Sequence, residues 1–282
     1  MKKFTPIITV EDDGLISPEV GEWAEQKYNL IGAYCDIFTS SMKRKWDNLV
    51  YIDLFAGSGY ARISENKIVK SSALIALSLP NPFTKYIICE QNAEKFDALK
   101  RRIAREHSDK NVVLFNGDSN LIIDQIESEI PKFNRQNKVL SFCFVDPFSI
   151  NLHFDTIRKL GSKYAMDFLI LLAFGMDIRR NIDKYLDENN QKITLFLDNE
   201  QWRVEYFEKI PPTNRDFINY IAQHYKNNMK KLNYIDPLDF HHVRSTDKNL
   251  SLYHLAFFSK HELGNEFWQK IKHYSTGQTS LF

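Results

Sequence analysis

The sequence has few cysteines, no long apolar run and almost no excess charge. Its three cysteines, Cys35, Cys89 and Cys143, show no CxxC spacing and no pairing with a nearby histidine. We therefore expect neither a disulfide framework nor a metal site. No stretch reaches the roughly 18 apolar residues of a membrane-spanning helix, and the start of the chain lacks a signal-peptide pattern. A cytoplasmic protein with no membrane contact is expected.

The charges nearly cancel, because 37 Lys and Arg residues face 36 Asp and Glu residues for a formal net charge of +1. No global field draws nucleic acid to the chain, so any such contact depends on local basic patches. Nucleic acid stays an alternative partner that the net charge does not indicate. We interpret the short basic clusters as solvated helix faces. These clusters are Lys43–Lys45, Arg101–Arg102, Arg179–Arg180 and Lys230–Lys231.

Short β-rich runs alternate with helical stretches through the middle of the chain. The predicted strands are Val50–Phe55, Lys85–Cys89, Val112–Phe115, Val139–Val145 and Phe168–Ala173. The predicted helices between them are Ser72–Ser78, Ala93–Glu106, Leu121–Ile130 and His153–Leu160. This alternation predicts an α/β fold of the Rossmann-like type, with a mostly parallel sheet, right-handed crossovers and helices on both faces.

The flanking segments complete a predicted seven-stranded sheet. Residues 1–48 form a helical lead-in, with Ser17-Pro18 as a helix start, and residues 49–282 form the α/β domain. A helical insertion spans about 176–232, with helical stretches at Lys192–Lys209 and Asp216–Lys231 and a break at Pro211-Pro212. An antiparallel hairpin, Phe240–Arg244 with Leu252–Ser259 around a polar turn at 245–249, precedes a final helix at Glu262–His273.

The end of the first strand carries a glycine turn, Asp53-Leu-Phe-Ala-Gly57-Ser-Gly59. Ligands of open parallel sheets bind beyond the carboxyl ends of the strands, and glycine lets backbone approach a ligand closely. Asp53 can accept hydrogen bonds from ligand amines or from the amides of its own turn. The dinucleotide fingerprint is incomplete, because Arg62 stands at its third glycine position.

Acidic residues follow the next three strands. Glu90 can hold ribose hydroxyls, or it can stabilise the start of the next helix. Asp118 can accept from an adenine amino group, or it can cap the next helix. Asp146 precedes Pro147 and Phe148, whose ring can stack on a planar substrate. The long gap from Gly59 to Glu90 is assigned to an extra loop at 62–71.

These four strand ends together resemble class I S-adenosylmethionine-dependent methyltransferases, and most of the chain resembles the three-Cys-motif partner (TcmP) proteins, a bacterial family. Trp23, Lys27 and Tyr34 before the first strand and the segment 253–264 add to the resemblance. It implies S-adenosyl-L-methionine as cofactor and a partner protein that carries the three-cysteine motif. The implied cofactor-binding residues are Asp53, Phe55, Ala56, Gly57, Gly59, Glu90, Gln91, Asp118 and Ser119, and the implied catalytic residues are Asp146, Pro147 and Phe148.

Three functional hypotheses follow. The first is a methyltransferase of unknown acceptor that works with the three-Cys-motif partner, with Asp146 orienting or deprotonating the acceptor. The second is a catalytically silent scaffold that keeps the fold and binds a partner through the helical insertion. The third is a methyltransferase of rRNA or DNA base amines, which the near-neutral charge speaks against.

Overall fold

The computed structural model describes residues 6–175, 177–209, 214–235, 240–244 and 251–275. In these ranges the strands are β1 (Thr9–Val10), β2 (Asn48–Asp53), β3 (Tyr60–Ser64), β4 (Lys67–Lys70), β5 (Lys85–Glu90), β6 (Val112–Asn116), β7 (Val139–Val145), β8 (Met166–Leu172), β9 (His241–Arg244) and β10 (Ser251–Phe258). The α-helices are α1 (Trp23–Met42), α2 (Ser72–Leu77), α3 (Ala93–Glu106), α4 (Ile123–Ser128), α5 (Phe154–Lys163), α6 (Ile182–Leu186), α7 (Lys192–Leu197), α8 (Trp202–Lys209), α9 (Asn214–Lys231) and α10 (Glu262–Ser275), with a 3-10 turn at Ile178–Arg180.

The main sheet has seven strands in the order β6-β5-β2-β7-β8-β10-β9. The first five run parallel, and β10 pairs antiparallel with both β8 and β9. The predicted α/β fold is therefore confirmed, together with its C-terminal hairpin and the helices between β8 and β9. The chain builds outward from β2 to β6 and then returns to place β7 beside β2, which makes the space between β2 and β7 the topological switch point.

The central strands are buried on both faces, as their apolar sequences predict. Alternate residues point into two cores: Tyr51 and Phe142 pack with α1, α2 and α10, whereas Ile52 and Cys143 pack with the helices α4 to α9. All three cysteines are buried and unpaired with one another. Among the described residues, no helix combines the length and the apolar character needed to cross a membrane. The division into a lead-in and an α/β domain stays a prediction.

The segment predicted as an extra loop at 62–71 is instead part of a second sheet. Strands β3 and β4 form an antiparallel hairpin, and β1 pairs with β4 from more than fifty residues upstream. The hairpin explains why Arg62 occupies the third glycine position. The turn after β2 leads into a strand, so no helix has to pack closely against the sheet there. The sequence pattern of this small sheet is weak because all three strands are short and because β1 lies far in sequence from its partner β4.

Two smaller predictions at element boundaries need correction. Ser17-Pro18 does not start a helix: α1 begins at Trp23. The stretch 192–209 is split into α7 and α8, because Asp198 adopts a left-handed conformation with φ of 50° and ends α7. The predicted break at residues 211–212 and the polar turn at 245–249 lie outside the described residues.

A buried carboxyl links α1 to the main sheet on the side of β8. Asp167 is 8% exposed, and its Oδ2 accepts a hydrogen bond from the Tyr34 hydroxyl at 2.8 Å. Burial raises the pKa of Asp167 to about 6, and the hydroxyls of Ser259 and Tyr34 only partly offset this effect. The group thus opposes folding when it is ionised.

We predict that Asp167→Asn flattens the pH dependence of the unfolding free energy between about pH 4 and pH 6. The raised pKa means that the native carboxyl keeps a proton that the unfolded chain has lost, so its contribution to stability falls as pH rises through this window. The asparagine oxygen still accepts from Tyr34. The effect is at most about 3 kcal/mol. Urea denaturation of both proteins across this range measures it, and parallel curves would contradict it.

Candidate functional site

A cavity of about 1240 Å³ opens at the carboxyl edge of the main sheet. Its walls are the turn after β2, the end of β5 with the start of α3, and the loops after β6 and β7. Residues 18–21 and the first turns of α1 close another side. The cavity therefore lies at the switch point between β2 and β7, where ligands of open α/β sheets bind.

Most of the residues predicted for the site meet at this cavity, and three lie behind its surface. The lining residues among them are Phe55, Ala56, Gly57, Glu90, Gln91, Asp118, Asp146, Pro147 and Phe148. Asp53, Gly59 and Ser119 are not among the lining residues. The role of each of these residues in ligand binding stays a prediction.

Asp53 is fully buried and holds the turn from behind. Its Oδ2 accepts from the hydroxyls of Tyr51 and Ser72 at 3.0 and 2.7 Å, and its Oδ1 accepts from the Phe55 amide at 3.3 Å. Burial raises the pKa of Asp53 to about 7, although these hydrogen bonds lower it. One of its predicted partners, an amide of its own turn, is therefore the Phe55 amide.

The two glycines of the turn serve different purposes. Both have positive φ, 69° at Gly57 and 89° at Gly59. A Cβ placed on Gly59 would lie 2.9 Å from Leu74 and 3.0 Å from Leu99, so this glycine lets α2 and α3 pack against the turn. A Cβ on Gly57 would meet nothing within 4 Å, which leaves open space in front of this residue.

Glu90 joins the turn after β2 to the end of β5. Its Oε2 accepts from the Gly57 amide at 2.7 Å, and its Oε1 accepts from the Asn92 amide at 2.8 Å. The second bond places the carboxylate just before α3, as the helix-stabilising alternative predicted. Each oxygen can still accept one further hydrogen bond. Glu90 therefore both fixes the local backbone and offers acceptors at the cavity wall.

Asp118 begins the turn after β6 but does not cap the next helix, because Ile122 is the N-cap of α4. Its Oδ1 accepts from the backbone and side-chain amides of Asn120 at 2.9 and 3.0 Å. Asn120 in turn donates to the Asn151 carbonyl at 2.8 Å and accepts from the His153 amide at 2.9 Å. This network holds the loops after β6 and β7 against each other.

Asp146 forms a buried ion pair with Lys27 of α1, with 2.5 Å between Oδ2 and Nζ. The Lys27 side chain is 5% exposed, and that of Asp146 is 20% exposed. Burial is the largest single effect and lowers the pKa of Lys27, but the charge and hydrogen bond of Asp146, together with Tyr28 and Tyr253, outweigh it and raise that pKa. Lys27 is therefore a permanent cation at the cavity wall.

Aromatic rings surround this ion pair. The Lys27 ammonium lies 5.3 Å from the Trp23 ring centroid and 4.9 Å from that of Tyr28. Tyr253 of β10 packs on Trp23 with 4.7 Å between ring centroids. Phe148 is 93% exposed at the cavity rim. A molecule that enters beside Asp146 would thus meet aromatic side chains on more than one side.

Sequence reasoning missed several cavity residues. Lys27 was noticed only as part of the family resemblance, although it stands four residues after Trp23 on the apolar face of a helix, where a lysine calls for a buried partner. Ser71 lines the cavity, and its hydroxyl is buried without a hydrogen-bond partner among the described residues.

The basic cluster at 101–102 was interpreted as a solvated face, and this is wrong for Arg102. Its side chain is fully buried, and its guanidinium pairs with Asp13 at 2.6 Å. Arg101 beside it is exposed, as predicted. Neighbouring positions of a helix point about 100° apart, so two adjacent arginines rarely share one environment.

We predict that Asp146→Asn lowers the unfolding free energy by about 3 kcal/mol, because it leaves the ammonium of Lys27 buried without a counter-charge. Lys27→Met should cost less, since the Asp146 carboxylate is partly exposed and water can solvate it. The double variant should regain part of the loss. In Asp146→Asn the loss should shrink as pH rises and Lys27 deprotonates. Urea denaturation measures all three variants; strictly additive effects would contradict the coupling.

Comparisons with known proteins bear on the fold. No protein-family model and no curated protein matches this sequence. A Legionella pneumophila protein of the DUF519 family superposes with a TM-score of 0.51 at 9% identity, covering 88% of this chain and 91% of its own. This likeness shows a shared fold.

Two further solved structures are of methyltransferases. Trm1 from Pyrococcus horikoshii in complex with S-adenosyl-L-methionine has a TM-score of 0.44 at 12% identity, with 92% of this chain and 64% of that chain covered. An O-methyltransferase from Bacillus cereus in complex with S-adenosylhomocysteine has a TM-score of 0.43 at 12% identity, with 81% and 80% covered. Sequence identities this low leave the function of the present chain to be argued from its own site.

Proposed function

We propose that this protein is an S-adenosylmethionine-dependent methyltransferase whose cofactor binds in the cavity at the carboxyl edge of the sheet. One observation carries the proposal: the Glu90 carboxylate and the open face of Gly57 meet at the switch point between β2 and β7. An acid after the second strand and a glycine turn after the first suit a nucleoside ligand at such a site.

The residues present fit this cofactor. Gly57 leaves free space where a side chain would stand, and Glu90 keeps acceptor capacity for ribose hydroxyls. The volume of about 1240 Å³ exceeds the roughly 300 to 1,000 Å³ typical of small-molecule pockets. There is room for the cofactor and for part of an acceptor.

S-Adenosylmethionine, when bound, supplies an electrophilic methyl group on a sulfonium. Glu90 binds the ribose hydroxyls, and Asp118 accepts from the adenine amino group. Lys27 binds Oδ2 of Asp146, and the carboxylate orients an acceptor N–H by accepting its hydrogen bond. Phe148 stacks on the acceptor. Catalysis then rests on positioning the acceptor against the methyl group.

A partner protein with the three-cysteine motif belongs to the same proposal and rests on the family resemblance. The scaffold alternative is favoured by one observation, the ion pair between Asp146 and Lys27, because a carboxylate that already has a buried partner can be structural. Transfer of a radiolabelled methyl group separates the two. Label that moves from S-adenosylmethionine to a protein, nucleic-acid or small-molecule fraction of cell extract supports catalysis.

We predict that S-adenosylhomocysteine binds to the purified protein and that Glu90→Gln weakens this binding by about tenfold. The glutamine amide turns a donor toward the Gly57 or the Asn92 amide and removes the negative charge that favours ribose hydroxyls. Titration calorimetry measures the affinity.

The matched control is Glu94→Gln, which changes an exposed acid in the first turn of α3 that does not line the cavity. This variant should bind like the unmodified protein. Absence of binding to the unmodified protein at millimolar ligand would refute the proposed function. Equal affinities of the two variants would refute the role of Glu90.

A further inference from the structure

The segment at residues 12–21, which we call the N-terminal strap, forms one wall of the cavity. Its residues 18–21 line the cavity directly. The strap pairs with the hairpin of the small sheet, because the Val20 amide donates to the Arg62 carbonyl and the Arg62 amide donates to the Pro18 carbonyl, both at 2.9 Å. The wall is thus made by a segment that lies far in sequence from the strand ends.

Arg102 of α3 binds the strap through several hydrogen bonds. Its Nε and Nη2 donate to the two oxygens of Asp13 at 3.0 and 2.6 Å. The carbonyls of Leu15 and Ile16 accept from Nη2 and Nη1 at 3.2 and 3.0 Å, and the Ser17 hydroxyl accepts from Nη2 at 3.1 Å. Neighbouring Arg105 adds a contact to Asp13 at 3.0 Å. These bonds fix the residues that immediately precede the cavity wall.

The same guanidinium also holds the glycine turn. Nη1 of Arg102 donates to the Ser58 carbonyl at 2.8 Å, and this carbonyl lies between Gly57 and Gly59. The guanidinium carbon lies 3.9 Å from the centroid of the Tyr60 ring, another part of the cavity wall. One side chain therefore joins the turn after β2 to the strap.

This arrangement couples the two walls physically. A fully buried guanidinium is costly unless all its donors are paired, and here the five N–H groups of Arg102 are distributed over the strap and the turn. The donor fork is planar and rigid. A shift of the strap must therefore break bonds or move the Ser58 carbonyl with it.

We infer that Arg102 and Asp13 are positioning residues for the cofactor cavity, which set the glycine turn and the N-terminal strap together so that ligand binding depends on the strap. The inference rests on the proposed function. It assigns a role in the site to residues that touch neither the cofactor nor the acceptor, and it makes the strap part of the cofactor site.

Calorimetry with S-adenosylhomocysteine tests the inference on the full chain. Asp13→Asn removes the charge that anchors the strap and should weaken binding by about tenfold. Ser17→Ala removes a single contact to Arg102 and should weaken it by about two- to threefold. Glu129→Gln is the control, because it breaks a partly buried ion pair with Lys85 at the opposite end of β5. Its affinity should be unchanged even if its melting temperature falls.

Hydrogen exchange provides a readout that a purely structural role would not move. In the unmodified protein, S-adenosylhomocysteine should protect the amides of 19–21 together with those of 57–59. In Asp13→Asn, saturating ligand should protect 57–59 and leave 19–21 unprotected. The comparison of the unmodified protein with and without ligand tests the inference even if a variant fails to fold.

The outcomes separate the inference from the proposed function. If the unmodified protein does not bind S-adenosylhomocysteine, the proposed function fails and the inference falls with it. If it binds but gains no protection at 19–21, the inference alone is overturned. Affinities of Asp13→Asn and Ser17→Ala equal to that of Glu129→Gln overturn it as well.

Discussion

The hydrogen bond from the Gly57 amide to the Glu90 carboxylate joins the ends of two neighbouring parallel strands, and the cavity depends on it. This bond ties the turn after β2 directly to the residues that precede α3 and fixes the direction of the Gly57 amide. Asp53 supports the same turn from behind by accepting from Tyr51, Ser72 and Phe55. The site is therefore fixed mainly by carboxylates that bind backbone amides and hydroxyls.

Buried charges then attach the first part of the chain to the carboxyl edge of the main sheet. Lys27 of α1 reaches Asp146 at the end of β7, and Asp13 of the strap reaches Arg102 of α3. Each of these four charges would be costly to bury alone, and its partner offsets that cost. In both pairs, one partner precedes β2 in the chain, and the pair connects it to the carboxyl edge of the main sheet. The lead-in is for this reason a part of the cavity rather than an appendage.

Much of the fold could be predicted from the sequence, because buried parallel strands leave apolar runs such as β7 and β8 with clear limits. The acids at the strand ends could be placed at one edge for the same reason. The small sheet could not be predicted, since β1 and β4 are short and pair across a long stretch of chain. The ion pairs of Lys27 and Arg102 could not be predicted either, because their partners are distant in sequence and a lysine or arginine on a helix is usually exposed.

The crystal structure of this protein with S-adenosylhomocysteine tests the central claim most directly. The account predicts that the ligand lies in the cavity between β2 and β7. Its ribose hydroxyls should lie within hydrogen-bonding distance of the Glu90 carboxylate, and its homocysteine part should pass over Gly57. A ligand bound elsewhere, or one whose ribose does not contact Glu90, would contradict it.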